Sequence, residues 1–278
     1  MKTLLAGFRV GLTLACAGAL LAQDGAERAT VPLDDPSRPA QIRAHLMMGG
    51  ITVRGADRRD VLVESHSRSG ESERHERVPP AARGMKRLQL PGNAGLDITE
   101  ENNVVNIKST SFGSSADLVI TVPRRSNLQL KCMNDGDIEV EQVSGEIDAD
   151  NLNGKVILKN VSGSVVAHSL NGEVTVSLDQ IDPSKPMSFS TMNGDIDVTL
   201  PAAFKANVRM KTDNGEIYSD FDVKLDAGTQ ARRTESGRQP DGTYHLRYDR
   251  ALHGTINGGG PEFQFTSFNG QIYIRKGK

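Results

Sequence analysis

Five glycines, Gly136, Gly145, Gly154, Gly163 and Gly172, stand nine residues apart, and apolar residues occupy the second and fourth positions after each. These are Ile138 and Val140, Ile147 and Ala149, Val156 and Leu158, Val165 and Ala167, and Val174 and Val176. Successive side chains leave opposite faces of a strand, so this alternation predicts short strands that each bury one face. The residue before each glycine alternates as Asp135, Ser144, Asn153, Ser162 and Asn171, so the full repeat is 18 residues in two unlike halves. Val143, Leu152, Val161 and Leu170, two positions before a glycine, read as pegs that turn back inside.

Asn-Gly between alternating runs also suits a hairpin, because both residues tolerate positive φ. An antiparallel meander has no reason to keep an 18-residue alternation, whereas a two-sided coil of that length stacks Asn on Asn and Ser on Ser. Asp137, Lys155 and Glu173 would then form one outward column of alternating sign. The expected fold is all-β: a single-stranded, mainly parallel β-solenoid, β-helix-like, with 18-residue two-sided coils. "MNGDIDVTL", "DNGEIYSDF" and "FNGQIYIRK" continue the phrase, and gaps of 22 and 21 residues separating Gly172, Gly194 and Gly215 predict coils that widen toward the C-terminus. "MMGGITVRG" repeats the phrase early, and "DLVITVP" with "NLQLKCM" adds two strands around Pro123. Glu64 to Arg87 and Asp226 to Thr243 are polar and charged, and read as surface loops.

Residues 1–22 have a basic start at Lys2 and Arg9, an apolar run from Val10 to Ala22 and small residues near its end. The run is shorter than the roughly 20 residues that cross a bilayer, so it reads as a signal peptide cleaved after Ala19 or Ala22. Residues 23–40 then read as a linker and 41–278 as the solenoid. A membrane is implied only if Cys16 is lipidated. Removing the leader moves the formal charge from 33 − 35 = −2 to 31 − 35 = −4, so no polybasic face is implied and nucleic acid is not an expected partner. Cys132 is then alone, a buried thiol in the alternating "NLQLKCM" rather than part of a disulfide framework.

The order of "GGITVRG", "LVITVP" and then "NGxIxV" and "SGxIxA" units resembles the bacterial adhesin-like domains of unknown function, over Gln41 to Lys278. The resemblance implies an exported β-solenoid protein of the cell envelope and brings no catalytic residues with it.

The chemistry in the chain is sparse. Asp137 and Glu139, Glu146 and Asp148, and Asp195 and Asp197 are acid pairs that share a strand face. Such pairs serve sugar-cleaving β-helix enzymes, but here they alternate with core residues and fit a solvated surface. "NDGDIEVEQ" matches one calcium nonapeptide without the in-register repeat. His45, His66, His75, His168, His245 and His253 show no metal-ligand spacing, and "GTINGGGP" lacks the Lys and helix of a phosphate loop. No catalytic, metal or cofactor residues are therefore assigned. Tyr218 and Tyr273, each third after a glycine, are outward candidates for ligand contact, with Asp195 and Asp197 beside them. The expected function is a non-catalytic exported scaffold or interaction protein of the envelope, with a protein or glycan partner. The alternatives are a β-helix hydrolase or lyase acting on polysaccharide, and an accessory protein that adds a partner's strand to a solenoid end.

Overall fold

A computed structural model describes residues 26–67, 96–109, 115–226, 232–238, 244–249 and 251–277, among which there is no helix. The strands form two ladders joined through the long β11 (Val156–Asn171), whose halves lie on opposite faces. On the front face β2 (Ala40–Met48), β8 (Ser126–Asn134), β10 (Ser144–Asn153) and the second half of β11 are each parallel to the next. β13 (Met187–Asn193), β21 (Glu262–Asn269) and β15 (Ala206–Asn214) continue that ladder. On the back face the matching series is β3 (Ile51–Ala56), β9 (Ile138–Glu141), the first half of β11 and β12 (Val174–Ile181). It continues through β14 (Ile196–Leu200), β22 (Ile272–Lys276) and β16 (Ile217–Ser219). One front strand, a glycine corner and one back strand make a rung of this solenoid-like wrap.

The rungs are stacked out of sequence order at both ends. β6 (Val104–Ser109) and β7 (Ala116–Pro123) lie outside β2 and β3, so the chain's first rung is the second of the stack. At the other end β21 and β22 lie between β13–β14 and β15–β16. Gly215 therefore does not follow Gly194 in space, as even spacing along the chain suggests, because Gly270 stands between them. "FNGQIYIRK" carries the same corner and turns Ile272 and Ile274 inward, where "DNGEIYSDF" offers Ile217 and the exposed Ser219, so the more apolar rung is the one inserted, and sequence adjacency does not choose. Antiparallel strands close the ends: β5 (Leu96–Glu101) on β6, with β4 (Asp60–Ser67) on β7 and β1 (Ala26–Pro32) on β4. β20 (Leu252–Ile256) lies on β15, and β17 (Val223–Leu225) on β20.

Two stretches expected to lack structure contribute strands. Part of the segment read as a linker is β1, whose Arg28 ion-pairs with Glu64 of β4. The polar stretch after Asp226 contains β18 (Arg232–Arg238), which forms an antiparallel ribbon with β19 (Tyr244–Asp249). Charged residues are no obstacle there, since a two-stranded ribbon needs backbone pairing rather than two apolar faces. Of the earlier polar stretch, Glu64 to Ser67 belongs to β4, and the rest, with His75, lies outside the described residues, as do residues 1–25 with the leader and Cys16.

The inward positions are as the alternation predicts: every apolar residue at the second and fourth places after the five glycines is at most 2 % exposed. The pegs divide. Val143 and Val161, beside the Ser-Gly corners, are buried, but Leu152 is 37 % exposed and Leu170 only half buried. At the Asn-Gly corners the residue one place earlier points inside, and it is polar. Asn151 Nδ2 donates to Gly136 O at 3.0 Å, Ser169 Oγ to Gly154 O at 2.8 Å and Thr191 Oγ1 to Gly172 O at 2.8 Å. Ser267 Oγ donates to Gly194 O at 3.2 Å and Thr212 Oγ1 to Gly270 O at 2.9 Å. Cys132, buried as expected, brings Sγ to 2.8 Å from Gly49 O. This internal spine ties each rung to the corner carbonyl of the one before it.

Outside the corner the asparagines form a ladder of side-chain amides. Asn153 donates to Asn134, Asn171 to Asn153, Asn193 to Asn171, Asn269 to Asn193 and Asn214 to Asn269, all at 2.7–2.8 Å. The contacting residues are 18 apart for Asn171 and Asn153, 22 for Asn193 and Asn171, and 76 for Asn269 and Asn193. Ser169→Ala is expected to cost about 1–2 kcal/mol, since it leaves a buried carbonyl short of a donor. Asn171→Ala, at an exposed link, should cost less. Urea unfolding of both variants checks the order.

Candidate functional site

On the outer back face, side chains at equal offsets from the corner glycines line up from rung to rung. The first residue after each glycine is used locally. Asp137 Oδ1 accepts the backbone N–H of Lys155 at 2.7 Å, and Asp195 Oδ1 accepts that of Gln271 at 2.7 Å. Gln271 Oε1 in turn accepts the N–H of Glu216 at 2.7 Å. Lys155 Nζ reaches Glu173 at 3.2 Å, so the alternating-sign column exists, with Asp137 serving the backbone.

The third residue after each glycine faces solvent. Asp197 is paired across the ladder with Tyr273, and Tyr273 with Tyr218, so three of the four candidate ligand residues share one column. The tyrosine rings stack with centroids 5.4 Å apart and planes 10° from parallel. The Arg275 guanidinium lies 5.2 Å from the Tyr273 ring centre and donates through Nε to both Asp197 oxygens, at 2.7 and 2.9 Å. Tyr218 OH donates to the Glu216 carboxylate, and that hydrogen bond, with the nearby charge, raises the phenol's pKa. Bonding to Asp197 likewise raises that of Arg275. β16 is the last strand of the back ladder among the described residues, so no further rung covers Tyr218, which is 48 % exposed.

The arrangement offers one open aromatic face, a cation over a second ring and two carboxylates that are already engaged. It suits binding by stacking. Asp195, the fourth candidate, stands two residues before Asp197 on the same rung and spends an oxygen on the backbone N–H of Gln271. Arg275 and Glu216 were not among the candidates, although equal glycine offsets are a signal that could have found Glu216.

On the front face Asp150, His168 and Ser190 occupy consecutive rungs of one column. His168 Nδ1 is 2.9 Å from Ser190 Oγ, while Asp150 lies 3.7 Å from Lys131 Nζ. A nucleophilic triad needs the acid on the second imidazole nitrogen and free N–H donors for an oxyanion. Among the described residues no Asp150–His168 hydrogen bond forms, and ladder pairing occupies the backbone here on both sides. Nor is there a group of three or more His, Cys, Asp or Glu side chains among the described residues that could hold a metal ion.

The peg positions that turn outward make an apolar stripe beside the asparagine ladder: Leu152, Leu170, Met192 and Phe268 on successive rungs, with Met192 and Phe268 44 % and 45 % exposed.

A family model described as Toastrack DUF4097 matches residues 96–257. No curated protein matches the chain. Among solved structures, a protein provisionally described as a cell adhesion protein from Clostridium sporogenes is 7 % identical, with a TM-score of 0.49 over 91 % of this chain and 100 % of that one. A protein provisionally described as an adhesin from Bacteroides fragilis is 10 % identical, with a TM-score of 0.34 over 91 % of this chain and 98 % of that one.

Proposed function

We propose a function on one premise, that this chain belongs to the Toastrack DUF4097 family: it is a non-catalytic, adhesin-like scaffold of the bacterial cell envelope, exported by its apolar leader. The reading is supported by where the chemistry sits. Side chains able to contact a ligand are arrayed in register on the outer faces of a stiff, ladder-bonded body, and the acids among them are tied to Arg275 or to backbone N–H groups. Asp195 and Asp197 so engaged are poor general acids or bases, which weighs against the polysaccharide hydrolase or lyase.

Tyr218, with its open ring face, and Tyr273 behind it form the proposed contact point for an envelope protein or glycan, with Asp195 and Asp197 fixing the rungs beneath them. The measurement is binding of the purified chain to cell-wall glycans and to separated envelope proteins, with products of the glycans analysed after incubation. Replacing both tyrosines by Ala should weaken retention at least tenfold while leaving the melting temperature within a few degrees. Release of shortened glycan by the wild type, lost in Asp197→Asn, would replace this reading by the enzymatic one.

A further inference from the structure

Five arginines converge at the far corner of the stack, in an otherwise acidic protein with 33 Lys and Arg against 35 Asp and Glu. They come from three turns: Arg38 between β1 and β2, Arg58 and Arg59 between β3 and β4, and Arg124 and Arg125 between β7 and β8. Together with Pro36, Pro39 and Pro123 they line a cleft of about 400 Å³. Backbone bonds hold two of the turns together: Arg124 N–H and Arg58 N–H both donate to Ala56 O, at 3.1 and 2.9 Å.

The acids around the cleft anchor some of these side chains without consuming them. Arg38 Nε contacts Asp35 at 3.0 Å, Arg58 contacts Asp60 at 2.8 Å, and Arg124 Nε contacts Asp57 at 3.2 Å. A guanidinium has five N–H donors, so each anchored arginine keeps several for another acceptor. Arg59 and Arg125 have no acidic partner among the described residues. Like charges gathered this closely repel, and three carboxylates do not balance five guanidinium groups. The planar fork of arginine matches the oxygens of a phosphate, and several forks in one cleft give both charge and geometry for it.

We propose that this cleft is a phosphate-binding site, taking the phosphate of a soluble phosphate ester or of an anionic lipid headgroup. It is separate from the tyrosine stack and does not depend on it. The site was invisible to net charge, because "PSRPA", "ADRRD" and "VPRRS" are far apart in the chain and each is offset by acids elsewhere.

Calorimetric titration of the full chain with inorganic phosphate and pyrophosphate, and co-sedimentation with phosphatidylglycerol or phosphatidylcholine vesicles, test the site. The double substitution Arg59→Gln with Arg125→Gln removes two exposed cations without an ion pair to break, so folding should be unchanged. It is expected to weaken binding of at least one phosphate probe tenfold or more. Lys224→Gln, an exposed cation at the other end of the stack, should leave it within twofold. The charge-preserving pair Arg59→Lys with Arg125→Lys should recover only part of the affinity. Arginine-dependent binding to phosphatidylglycerol vesicles assigns the lipid source, and arginine-dependent binding of free phosphate or pyrophosphate alone assigns the soluble one. Absence of binding to every probe by the wild type, or equal losses in Lys224→Gln, overturns the proposal.

Discussion

Val156→Asp is expected to abolish cooperative folding, whereas Lys155→Ala, its neighbour, should change stability by less than about 1 kcal/mol. Val156 is 0 % exposed and lies between Ile138 and Val174 on the adjoining rungs, in the middle of the stack. An aspartate there has no cation within the aliphatic interior, and burying an unpaired carboxylate costs several kcal/mol even after it takes up a proton. A domain stable by about 5–15 kcal/mol cannot absorb that loss together with the lost packing of the valine. Lys155 points the other way. Its ammonium meets Glu173 at 3.2 Å with the two side chains 53 % and 40 % exposed, a geometry that water and salt screen. Its backbone N–H, which Asp137 accepts, survives the change to alanine. Circular dichroism melts of the two variants decide the matter, and equal melting temperatures would mean that the inward and outward faces have been exchanged.

The same two residues show why so much of this fold could be read in advance. Period-two alternation after each glycine separates Val156 from Lys155, and an 18-residue recurrence places Val156 over Val174. Both signals are local and repeated, so they accumulate. Rung order carries no such signal. The strands of residues 262–276 and of residues 206–219 each turn at an Asn-Gly corner, so adjacency in the chain does not say which of them packs on β13 and β14. The polar spine was missed for a different reason. Asn151, Ser169 and Thr191 look like surface residues by type, and only the neighbouring corner carbonyl makes them welcome inside. Placing them inward sends Leu152 and Leu170 outward.

The candidate sites divide in the same way. Asp197, Tyr218 and Tyr273 share an offset from their glycines, so their common column follows from the repeat, while the contact between the two tyrosines needed the inserted rung. The arginine cleft draws on three turns with no common motif, and nothing short of the fold brings Arg38, Arg59 and Arg125 together. Repetition encodes the body. The tyrosine stack sits on its last rungs, and the unrepeated turns hold the cleft.

Gly172→Ala should destabilise the protein by about 3 kcal/mol or more, beyond the usual range for a surface substitution. The positive-φ argument for Asn-Gly does not explain this corner, since Gly172 is not among the glycines in the left-handed region. Space does: a Cβ on Gly172 would lie 2.1 Å from Gly154 O and 2.5 Å from Gly154 C, backbone atoms fixed in the preceding rung. That same carbonyl accepts Ser169 Oγ at 2.8 Å, so any shift that relieves the clash also strains the spine. Gly258 supplies the contrast. Its φ is +91°, yet a Cβ there meets nothing within 4 Å, so Gly258→Ala should cost only the left-handed penalty of about 1–2 kcal/mol. Urea denaturation of both variants separates steric closeness from backbone conformation. A Gly172→Ala loss no larger than that of Gly258→Ala would show that neighbouring rungs are not packed backbone to backbone at the corner. Combining Gly172→Ala with Ser169→Ala sharpens the test, because two changes acting on one carbonyl should lose less together than the sum of their separate losses.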